Sequence, residues 1–130
     1  LFAVLASAGL ITPEQARAWK ADGAHGRRRG TLTAPAHDVM EMRRAEATGA
    51  RLVFLSPVFA TRSHPGAASL GPVRFGLLAH QARVPVIALG GMTSRKFGAI
   101  RRVGASGWAA IDGLAAGKGP RDQKRKAVPR

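Results

Sequence analysis

The sequence predicts an α/β domain built on a parallel sheet, and three observations predict it. Short apolar runs, of which Leu52–Leu55 is the clearest, alternate with segments whose apolar residues keep helical spacing. Each unit repeats one order: strand, polar loop, helix, then a Gly-Ala step into the next strand. That step stands at Gly49-Ala50, at Gly104-Ala105 and, more loosely, at Gly23-Ala24. Parallel strands need a crossover, and the intervening helices supply it. This patterning leaves an open sheet and a barrel as alternatives.

The elements follow in order. Residues 2–6 read as a strand. Thr12 is then an N-cap, with Pro13 at the first helical position and Gln15 closing a capping box. Ile11 and Ala16 are spaced as a hydrophobic staple, Ala16 and Trp19 face inward, and the helix stops near Asp22-Gly23. A very short strand at Ala24-His25 precedes the arginine cluster Arg27-Arg28-Arg29. Residues 31–36 form the next strand candidate. Asp38 then caps a helix with Glu41 three residues on; it runs to Gly49 and keeps Val39, Met42 and Ala45 on one side. The run Leu52–Leu55 reads as a strand buried on both faces, broken at Ser56-Pro57 into a long polar loop. Gly71-Pro72 starts a helix with Phe75, Leu78, Ala79 and Ala82 on its buried stripe. Residues 85–89 form a strand ended by Gly90-Gly91, and Thr93 caps a helix containing Phe97, Ile100 and Val103. Residues 108–111 are the last strand, and Asp112-Gly113 opens the loop after it.

Composition narrows the function classes. A chain of 130 residues fits one domain and can bury a real core. We divide it into a barrel-like unit over 1–116 and a disordered basic tail over 117–130. There is no cysteine, so no disulfide framework and no thiolate metal site. A formal charge of +14 suggests nucleic acid or an anionic surface, but its distribution argues against that. Six basic residues and one acid lie in the tail, and the other basic residues are spread over loops and helix faces. Tyrosine is absent, and no aromatic residues interleave with the cations as a base-stacking strip needs. No apolar run approaches the roughly 20 residues that cross a bilayer, so the expectation is a cytoplasmic protein without membrane contact. A homo-oligomer is compatible with all of this. The chain begins at Leu1 inside an apolar run, and the expectation is a piece of a longer protein.

Parallel α/β folds place their chemistry at the C-terminal ends of strands, and barrels bind phosphate in the late loops. The residues so placed are Thr61, Ser63 and His64 after one strand, Gly90 and Gly91 after the next, and Asp112 after the last. Hydroxyls and backbone N–H groups are the donors a phosphate dianion needs, and glycine lets the backbone approach it. The plainer alternative is a surface loop followed by a tight turn. His37 follows a strand and precedes a helix cap, so it points into the same mouth as a general acid or base, or as a polar rim residue. His25 and His80 carry less, His80 as an exposed helical residue. No carboxylate pair or His/Asp/Glu cluster has metal-ligand spacing, so no cofactor is evident.

Taken together, SPVFATRSHPG, PVIALGGM and GASGWAAIDGL, with KADGAHG and APAHD upstream, resemble the thiamine phosphate synthase/TenI family over roughly residues 12–114. The resemblance implies a TIM barrel, incomplete here and represented by strands three to eight. It implies a phosphorylated thiazole-type ligand held by Thr61, Ser63, Gly90 and Gly91, with His64 where the synthases usually carry a lysine. The synthases join a hydroxymethylpyrimidine diphosphate to a thiazole phosphate and use magnesium to neutralise the diphosphate. Their aspartate ligands would fall in SAGLIT and HGRRRG, which contain none. The TenI branch includes thiazole tautomerases that need no metal and use a histidine after the fifth strand, which His37 matches. A catalytically inactive phosphate-binding remnant is the third reading.

Overall fold

The structure, a computed structural model, describes residues 4–6, 17–18, 23–62 and 65–110. In chain order its elements are β1 (Val4–Ala6), β2 (Gly23–His25), β3 (Thr33–Ala36), α1 (Val39–Ala47), β4 (Leu52–Leu55), α2 (Gly71–Gln81), β5 (Val86–Leu89), α3 (Ser94–Arg102) and β6 (Gly107–Ala109). The six strands form one sheet in sequence order, every neighbouring pair parallel. Strands laid side by side in chain order, with helical crossovers from β3 to β6, make the arc of a (β/α) barrel, as expected for an incomplete TIM-type fold. The expected cap at Thr12 and the inward Trp19 lie outside the described residues; Arg17 and Ala18 are helical.

Side-chain alternation sorts the sheet into two faces. Ala34, Ala36, Val53, Leu55, Val86 and Ala88 point outward and are buried with Met42 and Ala45 of α1, Phe75 of α2 and Ile100 of α3. The outward positions of β3 are both alanine, which brings the helix backbone close to the sheet. On the inner face, register aligns Pro35, Phe54, Ile87 and Gly107 across four strands. Leu52 and Phe54 lie on that inner face and are half-buried, so β4 is not buried on both faces as its apolar run suggests. Its outward residues are sealed by helices, whereas its inner ones line the open side of the arc.

Local chemistry sets the ends of the elements. Asp38 Oδ1 accepts from the N–H of Glu41 at 2.8 Å, capping α1. Thr93 does the same for α3 by accepting from the N–H of Lys96 at 3.2 Å. The helix expected to run to Gly49 ends at Ala47, with Gly49 in the left-handed region at φ +92°. β3 starts at Thr33 rather than residue 31, because the buried Thr31 turns its hydroxyl to the carbonyls of Gly26 and Arg28. Thr33 O faces β2 and accepts from Gly26 N, so Pro35, two residues on, presents its missing N–H on that same side. The register of β2 with β3 is accordingly a single pair, His25 with Thr33. The helix expected to contain Val103 ends at Arg102, and Val103 follows it as the C-cap, 37% exposed. β6 comprises residues 107–109, one residue earlier than expected at its start.

The β2–β3 connection, residues 26–32, holds no helix. Beside it lies a cavity of about 270 Å3 lined by Arg27, Ala34, Glu41, Arg44 and Ala45 among others. Among the described residues no helix is long and apolar enough to cross a membrane.

Candidate active site at the C-terminal strand ends

The loops after β4 and β5 are built against each other. Val58 N donates to Leu89 O and Phe59 N to Gly90 O, both at 3.0 Å, so the first turn of one loop is pinned along the end of the other strand. Gly90 and Gly91 have φ of +96° and +62°, a region that disfavours residues with a Cβ. Space demands glycine as well. A Cβ on Gly90 would stand 2.8 Å from Pro57 Cα and 3.3 Å from Thr61 Cγ2, and one on Gly91 would stand 2.6 Å from Ala60 O. Two sequence-predicted members of the site, Thr61 and Gly90, are therefore neighbours, and Gly91 packs beside them on Phe59 and Ala60. Ser63, His64 and Asp112 lie outside the described residues. Immediately downstream, Thr93 opens α3, so the glycine turn leads into a helix N-terminus, where unsatisfied N–H groups gather.

His37 joins the same region from β3. Its Nδ1 lies 2.8 Å from the carbonyl oxygen of Ser56 and 3.4 Å from Ser56 Oγ. A carbonyl oxygen can only accept, so Nδ1 is the donor of this bond, and in the tautomer that makes it the lone pair lies on Nε2. The next residue, Pro57, is the one that touches Gly90, so the imidazole and the glycine turn share the Ser56-Pro57 step. The His37 backbone is fixed as well. Its N–H donates to Glu41 Oε2 at 2.9 Å, while Glu41 Oε1 meets Arg27 Nη2 at 3.3 Å. The exposed Arg27 makes that ion pair a small energetic term, but it orients the carboxylate that holds His37.

His25 belongs to this end of the sheet too, and its short strand hid that in the sequence. It closes β2 on the inner face, with Nδ1 2.9 Å from Thr33 Oγ1 and its ring edge-on to Phe54 at 5.1 Å. Burial, and then the positive charge of Arg27, push its pKa below the usual 6.5, so it stands neutral at pH 7. The one available signal was its spacing ahead of Thr33 and Phe54 across three adjoining strands. His80, by contrast, is exposed in the last turn of α2 and takes no part.

The loop after β2 bears on the magnesium question. Residues 26–30 offer three exposed guanidinium groups and no carboxylate, a donor set that does not fit a hard divalent cation. Among the described residues no three His, Asp or Glu side chains gather for a metal ion.

Fold and site together define a (β/α)-barrel protein whose loops after successive parallel strands converge around glycines, a hydroxyl and an oriented histidine. Residues 27–114 match the family model described as thiamine monophosphate synthase, and the chain belongs to that family. A protein of Aquifex aeolicus is 38% identical over 76 residues, covering 58% of this chain and 41% of the relative. The thiamine-phosphate synthase of Bacillus velezensis is 30% identical over 100 residues, covering 73% of this chain and 43% of the relative. The chain thus spans about two-fifths of the length of these relatives. In structure it resembles the thiamine phosphate pyrophosphorylase of Pyrococcus furiosus with a TM-score of 0.73 at 19% identity, over 95% of this chain and 62% of that one. At that identity the likeness shows the fold.

Proposed function

We propose that the C-terminal strand ends bind a phosphorylated thiazole-type small molecule and that His37 moves a proton on it. The observation that carries this reading is the bond from His37 Nδ1 to Ser56 O, which turns Nε2 into the ring's free proton-accepting position and ties the imidazole to the residue before Pro57, the one packed against Gly90. The phosphate would take its hydrogen bonds from Thr61 and the backbone N–H groups at Gly90 and Gly91, with Ser63, His64 and the backbone N–H of Asp112 as further candidates. In the proton transfer, a proton on an sp3 carbon of the ring's non-aromatic tautomer passes to Nε2, and the electron pair of that C–H bond spreads into the adjoining double bonds. The imidazolium then returns the proton at another position. Nothing is oxidised and no bond to phosphorus changes. An oriented general acid–base of this kind contributes about 10²- to 10⁴-fold in rate.

The donor chemistry of the β2–β3 loop favours this isomerisation over diphosphate displacement. The family's synthases manage diphosphate charge with magnesium, and residues 26–30 supply guanidinium groups instead. A titration followed by 31P NMR tests the binding half. Thiazole carboxylate phosphate should shift on adding the protein, and Thr61→Val should weaken the interaction. A resonance that stays unmoved by the wild-type protein would sink the reading.

A further inference from the structure

Lys96 stands out among the residues outside that reading. It lies in the first turn of α3, which contains no acidic residue. Helix stability does not account for a lysine there, because the N-terminal end of a helix disfavours cations. Its side chain turns back toward the glycine pair: Nζ donates to Gly91 O at 3.0 Å and sits 4.6 Å from the centroid of the Phe59 ring. Phe59 is the residue whose N–H donates to Gly90 O. One ammonium therefore touches both loops that form the candidate phosphate site. An ammonium has three donors, and among the described residues its hydrogen bond to Gly91 O engages one of them.

We propose that Lys96 is the charged member of the phosphate site, holding the Phe59 loop against Gly91 and supplying the cation that the dianion pairs with. The proposal rests on the phosphate-binding reading above and adds the residue that sets its charge. Such a role asks for a positive charge of the right reach, and it makes binding sensitive to salt because the pair is exposed to solvent.

The test titrates inorganic phosphate and a simple phosphate monoester into the wild type, Lys96→Met, Lys96→Arg and Thr61→Val, each shown to fold by its thermal melt. We expect Lys96→Met to weaken monoester binding about tenfold or more and to flatten its salt dependence. Lys96→Arg, which keeps the charge and the aromatic contact, should stay within about threefold of wild type. Wild-type affinity in Lys96→Met alongside weakened binding in Thr61→Val would overturn the role of Lys96 and leave the site standing. Absence of binding by the wild type would overturn both.

Discussion

Replacing Gly90 by alanine tests the junction between the two loops, and the structure allows its cost to be worked out. At φ +96° an L-residue is strained by about 1–2 kcal/mol. The new Cβ would also stand 2.8 Å from Pro57 Cα, a backbone atom that cannot rotate away. Pro57 must then retreat, taking with it the bonds from Val58 N to Leu89 O and from Phe59 N to Gly90 O. Each is worth about 0.5–1.5 kcal/mol. Gly90→Ala should therefore destabilise the protein by about 2–5 kcal/mol. Gly49→Ala provides the reference. Its φ is +92°, but nothing lies within 4 Å of the added Cβ, so only the strain of about 1–2 kcal/mol applies. Urea unfolding of the two variants separates conformational strain from close packing. Equal losses would refute the claim that the glycine is required by the approach of the Pro57 loop.

Two further outcomes follow from the same geometry. Phe75 is fully buried at the meeting of α2 with the outer sheet face, so Phe75→Ala should cost about 3–5 kcal/mol in the same urea assay; a loss under about 1 kcal/mol would contradict that core. The pKa of His25 is held below 6.5 by burial first and Arg27 second, so below that pH the unfolded chain takes up protons that the folded one does not. Its contribution to stability is therefore complete above about 6.5 and is lost as the pH falls through the lower folded value. Urea midpoints measured from pH 7.5 to 5.5 should fall for the wild type and fall less for His25→Gln. Parallel slopes would contradict the burial argument.

Much of the architecture was legible because its signals are local. Asp38 with Glu41, Thr93, and the glycines after α1 and β5 announce caps and turns through their own side chains or lack of them. The parallel order followed from apolar runs separated by helices. What was not legible depends on distant partners. The inner side of Leu52–Leu55 is half-open because no helix covers it, a fact outside the run itself. His25 looked peripheral because its strand has three residues, while its placement comes from Thr33 and Phe54 on other strands. The neighbourhood of Thr61 and Gly90 was expected from general barrel rules, whereas the reach of Lys96 back to Gly91 is a tertiary contact. The place of His37 at the end of β3 followed from its position, whereas its tautomer required the carbonyl of Ser56.

The central claim is that His37, fixed by Ser56, exchanges a proton with a bound thiazole phosphate. The most direct measurement incubates thiazole carboxylate phosphate with the protein in deuterium oxide and follows loss of the exchangeable ring proton by 1H NMR. Wild type should accelerate the exchange, and His37→Asn should reduce it by about 10²-fold or more while still shifting the ligand's 31P resonance. Identical exchange with wild type and His37→Asn would contradict the account.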